Sequence, residues 1–433
     1  MSICVIGGLG YVGLVTSAGL AELGHDVSVV DADRARLALV RQGHLPFHEV
    51  GLRELLEAHL ATGRLRLADS ITDGVRDARM IFIAVATPPR YDGEADLSQV
   101  IAAAEELARV LRHRAIIVVK STVPLGTHQI LRRILQHHGL LEERDYALVM
   151  LPEFLREGNA VYDFFHPARI VIGGADPEAR RQVRELFQRL EAPVLETTFE
   201  HAVLIKYASN AFLAMRISFA NELANLCDAA GADVFEVLHG MSYDPRIGGS
   251  YLSPGIGFGG PCLEKDIVSL IRIAEGTGYE PAFFRAIMEK NHHQVRQTVR
   301  KALDLLDGDA YARLVAVLGL AFKPGTSDVR NSLAVRIIDR LQRRGAVVRA
   351  YDPVANGEAR GVLPTVALYD DPYAAAAGAD LTVILTAWEE FRRLDLARLR
   401  RVMAQPRLLD GVNVLDPGAA RSAGLVYRGM GRR

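Results

Sequence analysis

Three groups of residues have types and spacings that can do chemistry. The first is Gly257–Asp266, GFGGPCLEKD, where a thiol follows a run of glycines and stands beside two acids and a lysine. Gly257, Gly259 and Gly260 let backbone close around a ligand. A cation near a thiol favours the thiolate, whereas apolar burial suppresses it. Cys262 is therefore a candidate nucleophile, while Cys4 and Cys227, each within an apolar stretch, read as inert core thiols. The second group is Gly8-Leu9-Gly10-Tyr11-Val12-Gly13, a G-x-G-x-x-G run between a strand-like and a helix-like stretch. Asp31 follows about 20 residues later, at the end of the next strand-like run. Such glycines bring a pyrophosphate to the N–H groups of a helix N-terminus, and such an acid holds ribose hydroxyls, which favours NAD over NADP. Gly7, just ahead, leaves the register of the turn open by one residue. The third group is Lys206 and Asn210, spaced i, i+4 and so on one helix face. Within an apolar helix they need polar partners, unless they form an exposed stripe.

The elements that must position these groups follow from periodicity. SICVIG, DVSVVD, RMIFIAVATPP, AIIVVKSTVP and YALVMLPE read as strands separated by helical stretches, which implies a parallel sheet covered on both faces. From Phe199 to about Ala230 no Gly or Pro interrupts the sequence, and Gly231 follows. This predicts one long helix, buried on most faces, linking two domains and contributing to a subunit contact. RLVAVLGLAF, AVVRAYDP and ADLTVILTAW then repeat the N-terminal plan, with Asp352 in the place of Asp31. The second glycine turn, at Gly319, lacks the fingerprint, so no second dinucleotide site is expected there. Lys323 beside it meets a different phosphate or is simply solvated. The fold class predicted is α/β: two Rossmann-like doubly wound domains joined by a long central helix. The expected boundaries are 1–195, 196–300 and 301–433.

Composition excludes several functions. The formal net charge is −1, which gives no support to nucleic-acid binding. Three cysteines are too few for a disulfide framework, and no Cys/His cluster has metal-ligand spacing, so no metal is expected. The apolar N-terminal run lacks a basic leader and is broken by glycines. No other stretch suggests a membrane span, and a soluble, cytoplasmic protein is expected.

Taken in order, GLGYVGL, KSTVPLGT, PEFLREGNA, IKYASNAFLAMRISFANE, DPRIGGSYLSPGIGFGGPCLEKD and GLAFKPGTSDVRNS resemble the UDP-glucose 6-dehydrogenases, within the nucleotide-sugar dehydrogenases. The resemblance runs over nearly the whole chain. It implies NAD-dependent, four-electron oxidation of a nucleotide-sugar alcohol to a carboxylate by a homodimer, with Cys262 carrying a thiohemiacetal and then a thioester. Lys206 and Asn210 then match the pair that stabilises oxyanions at the reacting carbon. Asp266 and Thr122 match residues that position water, and Glu153 a general base. Phe154, Leu155, Tyr251, Gly259, Phe322 and Lys323 match substrate contacts, and Arg246 one made across a dimer. Tyr11, Val12, Asp31, Arg36, Thr87, Glu157, Lys265 and Arg330, with Thr122, match positions around NAD. The sequence departs from the family pattern at Leu151, at Glu49-Val50-Gly51-Leu52, and at Val412, where an arginine that helps hold the nucleotide is expected. Relatives acting on GDP-mannose, a dTDP-sugar or a UDP-hexosamine, or an NAD-binding protein without turnover, are the other readings.

Overall fold

Short β-branched runs become strands here wherever helical stretches flank them. The computed structural model describes residues 1–91 and 93–432. One unit takes Met1–Ser209 and Val268–Gly278; the other takes Asn210–Ile267 and the chain from Tyr279. The first unit holds β1 (Ser2–Ile6), β2 (Asp26–Val30), β3 (Leu65–Leu67), β4 (Met80–Ile83), β5 (Ala115–Val119), β6 (Tyr146–Met150), β7 (Ile170–Gly174) and β8 (Val194–Thr197). They form one sheet in the order β3-β2-β1-β4-β5-β6-β7-β8. Ile3, Val5, Val29, Phe82, Val118 and Val149 lie in its buried core.

The five strands read in the sequence, β1, β2, β4, β5 and β6, pair in parallel as expected, whereas β7, not among them, runs antiparallel to β6. The chain turns back at the carboxyl end of β6, and the segment 151–169 returns β7 beside it in the opposite direction.

The second unit holds β9 (Leu314–Leu318), β10 (Val347–Tyr351), β11 (Ala367–Leu368), β12 (Leu381–Ile384), β13 (Arg407–Asp410) and β14 (Val426–Gly429). Their order is β11-β10-β9-β12-β13-β14, and every pairing is parallel. Along β9, Val315 and Val317 enter one core while Ala316 and Leu318 enter another, so both faces are covered. The first four positions of this order repeat the β3-β2-β1-β4 arrangement of the first sheet, as the sequence repeat predicts.

The helix Phe199–Ala230 forms as expected. At its start the Thr198 hydroxyl accepts from the His201 N–H at 3.2 Å. At its end Gly231 adopts φ +76° and Ala232 N donates to Cys227 O at 3.0 Å. It is buried or half-buried on most faces, as expected, and leaves one apolar stripe open, where Phe212, Phe219 and Leu226 are 54%, 43% and 62% exposed. Spaced by seven residues, they fall on one stripe. Among the described residues, no helix is long and apolar enough to cross a membrane.

In both units the candidate residues sit just past strand ends, where open α/β sheets bind ligands. The glycine turn follows β1, Asp31 follows β2, Thr87 β4, Thr122 β5 and Glu153 β6; Phe322 and Lys323 follow β9. The two acids that follow the second strand of each sheet differ. Asp352 is buried and accepts from the N–H groups of Leu320, Ala321, Val354 and Ala355 at 2.7–3.0 Å and from Trp388 Nε1 at 3.1 Å. Asp352→Ala strands these donors and is expected to cost roughly 3 kcal/mol of stability in urea unfolding. An unchanged midpoint would show that this carboxylate does not organise the second sheet.

Candidate active site

The glycine turn settles its own register. Gly7 carries φ +75°, which makes it the left-handed residue of the turn. A Cβ on Gly8 would lie 2.6 Å from Val29 Cγ1, and one on Gly13 only 2.3 Å from Gly7 O. A Cβ on Gly10 would meet nothing nearer than Gly7 O at 3.4 Å. Gly8 and Gly13 are thus packing glycines, and Gly10 is the open one. The helix Tyr11–Glu22 starts at Gly10 with no side-chain cap and no acid in its first turn, which leaves Val12 and its neighbours to present N–H groups to an anion. Asp31 Oδ2 accepts from Leu9 N and Oδ1 from Asp33 N, both at 2.9 Å. Each oxygen keeps lone-pair capacity for a ribose hydroxyl. Arg36, exposed, pairs with Asp33 at 3.3 Å. These residues fit a dinucleotide.

Tyr11 is anchored from a direction the sequence did not disclose. Its hydroxyl donates to Glu49, a carboxylate 3% exposed. Glu49 also accepts from Gly158 N and Ala160 N at 2.7 Å and from Val161 N at 3.4 Å. Burial first, and then Glu49, push the Tyr11 phenol far above its usual value, so it remains a donor. Glu49 thereby ties the glycine turn to the segment that follows Glu153 and contains half-buried Glu157.

At the ends of β4, β5 and β6, Thr87 Oγ1 donates to Thr122 O at 2.8 Å. Lys206 Nζ donates to Glu153 Oε1 at 2.7 Å, with both side chains under 10% exposed. Leu155 N donates to Glu153 Oε2 at 2.6 Å. Burial by itself raises the Glu153 carboxyl. The Lys206 charge and hydrogen bond, the Leu155 N–H and the Lys120 charge outweigh it and hold the group below its ordinary range. The Phe154 ring carries the Arg169 guanidinium 3.7 Å from its centroid.

In the second unit, the cysteine loop is clamped by amides. Asn291 Oδ1 accepts from Phe258 N and its Nδ2 donates to Phe258 O, both at 2.8 Å. Gly255 N donates to Asn221 Oδ1 at 2.8 Å, and Gln294 Nε2 donates to Gly255 O at 2.7 Å. A Cβ on Gly257 would lie 2.4 Å from Asn291 Oδ1, one on Gly259 2.7 Å from Asn331 O, and one on Gly260 2.6 Å from the Phe322 ring. The glycines are there because the clamps approach so closely. Cys262 emerges exposed, directly ahead of the helix Leu263–Gly276. Asp266, one turn in and 1% exposed, accepts from Asn210 Nδ2 at 2.6 Å and Lys265 Nζ at 2.7 Å. Lys206 and Asn210 are therefore buried and partnered, which decides between the two readings of that pair. Cys4 and Cys227 are buried, and burial pushes the Cys4 thiol up to about 12 and raises Cys227 as well.

Residues 1–191 match the NAD-binding domain of the UDP-glucose/GDP-mannose dehydrogenase family, 200–293 its central domain and 316–417 its UDP-binding domain. The chain belongs to the UDP-glucose/GDP-mannose dehydrogenase family. It is 43% identical to a UDP-glucose 6-dehydrogenase of Pseudomonas aeruginosa over 100% of this chain and 98% of that one. The structure of a UDP-glucose dehydrogenase from Pyrobaculum islandicum matches with a TM-score of 0.92 at 39% identity, covering 100% of this chain and 98% of the other. A UDP-D-ManNAc dehydrogenase from Pyrococcus horikoshii matches with a TM-score of 0.89 at 28% identity, covering 100% and 99%. NAD is the cofactor of this dehydrogenase family's N-terminal domain, and the glycine turn and Asp31 suit it.

The remaining expected residues are more dispersed. Lys265 and Arg330 belong to the second unit, and Arg330 forks onto Asp328 in its own turn at 2.5–3.0 Å. Arg246, with its side chain 87% exposed, pairs with Asp244. Tyr251 adopts φ +59° and is 37% exposed. Lys323 Nζ lies 5.6 Å from the Phe322 ring centroid. Val412 lies in a turn whose Asn413 donates to Pro254 O and Met430 O, and its side chain packs into the apolar core.

Glu49, Lys120, Asn291 and Gln294 were given no role by the sequence reading. The signals were the flagged stretches Glu49–Leu52 and KSTVPLGT for the first two, and polar residues at i, i+3 on a buried helix face for Asn291 and Gln294. Glu49→Gln weakens a carboxylate that holds Tyr11 and three backbone N–H groups. It is expected to raise KM for NAD about tenfold with a smaller change in kcat. An unchanged KM would separate Glu49 from the cofactor turn.

Proposed function

We propose that this chain is an NAD-dependent UDP-glucose 6-dehydrogenase that converts the sugar's primary alcohol to a carboxylate through a thioester on Cys262. One observation carries the reading. An exposed thiol stands directly ahead of a helix whose first turn holds the buried Asp266, bonded to Asn210 and Lys265. An alcohol dehydrogenase that stops at the aldehyde needs no acyl-carrying nucleophile. Full-length identity to UDP-glucose 6-dehydrogenases, and the UDP-binding domain match, support the substrate.

When bound, NAD supplies the hydride acceptor for each of the two oxidations. Cys262 adds as thiolate to the aldehyde carbon, and the resulting oxyanion needs donors already in place. Asn210 Nδ2 has two hydrogens, one of them on Asp266. The Lys206 ammonium, bonded to Glu153, brings its positive charge to the same oxyanion. After the second oxidation, Thr122 and Asp266 orient water and the Glu153 carboxylate takes its proton, so that the thioester opens to carboxylate and thiolate. Phe154, Leu155, Tyr251, Gly259, Phe322 and Lys323 hold the substrate, with Lys323 toward its phosphates. Residues 1–195 serve NAD, 196–300 the cysteine loop and dimer, and 301–433 the nucleotide.

Two NADH per UDP-glucose are expected, with less from GDP-mannose, a dTDP-sugar or a UDP-hexosamine. Cys262→Ser is expected to lose ~10³-fold or more in kcat while still binding both ligands. One NADH per sugar, or full carboxylate production by C262S, would remove the covalent route.

The protein acts as a cytoplasmic homodimer in this reading, with Phe212, Phe219 and Leu226 covered by a second copy and Arg246 reaching that copy's substrate. Paired Phe219→Glu and Leu226→Glu changes are expected to halve the mass seen by light scattering. A mass unchanged from the parent would take this stripe out of the subunit contact.

A further inference from the structure

One buried cation has no part in the chemistry assigned so far. Lys120 directly follows β5, two residues before Thr122, and is 9% exposed. Its backbone N–H donates to Ile83 O at 2.8 Å, and the Ser121 hydroxyl donates to Val85 O at 2.6 Å. The sheet therefore fixes where its stem begins. Its Nζ donates to Pro152 O at 3.4 Å, the carbonyl of the peptide that leads into Glu153. Glu153 has meanwhile given Oε1 to Lys206 and Oε2 to Leu155 N. Two ammonium groups act on one buried carboxylate, and the second donates to a neighbouring carbonyl. Its charge stabilises the anion through space.

We propose that Lys120 is a positioning residue for Glu153, a second cation that keeps the carboxylate ionised without tightening its bond to Lys206. The proposal rests on the reading of Glu153 as the base of thioester hydrolysis. A purely space-filling role is poorly served by lysine, because burying an ammonium is unfavourable unless a charge compensates it. The charged groups acting on it are Glu153, from the segment after β6, and Lys206, from the long helix; its own segment adds only the uncharged Ser121 and Thr122. Burial pulls the Lys120 ammonium down to about 8, with Glu153 opposing and Lys206 assisting. Below that pH it is charged and supports the carboxylate. Above it Lys120 is neutral, Lys206 is the one cation left on Glu153 beside the Leu155 N–H, and the base is more firmly latched to Lys206.

The test is the pH profile of kcat, from about 6 to 9.5, with saturating UDP-glucose and NAD, for the parent, Lys120→Met and Lys120→Arg. The parent is expected to lose rate on the alkaline side with a midpoint of about 8. K120M is expected to be roughly tenfold slower near neutrality, with its acid limb moved upward by about one unit and KM for NAD unmoved. K120R stays charged throughout, so it is expected to restore most of the rate lost in K120M and to lack the alkaline loss near 8. Variants that share the parent's profile would overturn the proposal. Should K120M fail to fold, the parent and K120R profiles decide alone, and a common alkaline limb in both overturns it. A parent that makes no NADH from UDP-glucose sinks the functional reading itself, an outcome distinct from active enzymes with superimposable profiles.

Discussion

Glu153 is an ionised carboxylate taken out of water, and the first unit's site is arranged around that fact. Such a group costs several kcal/mol unless it is paired and hydrogen-bonded. One partner is local, the N–H of Leu155 two residues on; the others are cations from distant segments, Lys206 on the long helix and Lys120 at the end of β5. The two cations act only once the sheet has formed and the helix has docked on it. Loss of any one partner therefore disturbs the charge of the whole cluster, which is why its members are better treated as one titrating assembly than as separate residues.

The early reversal of the chain after β6 creates the place for this carboxylate. With β7 antiparallel, residues 151–159 stay at the carboxyl edge of the sheet. Glu49 seals the far end of that segment and the ion pair seals the near end. The second unit solves a similar problem with neutral groups. Asn221, Asn291 and Gln294 hold the backbone ahead of Cys262 with paired amide bonds, so the thiol's loop is fixed without adding charge beside it.

Local signals were legible in the sequence. The glycine fingerprint, Asp31, the uninterrupted helix and the cysteine among glycines and charges each depend on a few adjacent residues, and each forms as read. The duplicated strand order was visible for the same reason. What stayed hidden depends on distant pairing. Glu49 meets Tyr11 and Gly158 across 38 and 109 residues, and no periodicity encodes that meeting. The reversed β7 depends on how the segment 151–169 meets the edge of the sheet, which apolar runs do not reveal. For the long helix, composition shows that the faces are apolar but not which one the fold leaves open.

The two acids in equivalent positions have a further consequence. Five protein donors occupy Asp352, whereas Asp31 takes two and keeps room for sugar hydroxyls. In the proposed reaction one dinucleotide site serves both oxidations, so the reduced carrier is exchanged halfway. An aldehyde left unattached during that exchange could escape or hydrate. In the proposed route, attachment to the Cys262 sulfur keeps the aldehyde in place through that waiting period, which links the saturated carboxylate of the second sheet to the loop that carries Cys262.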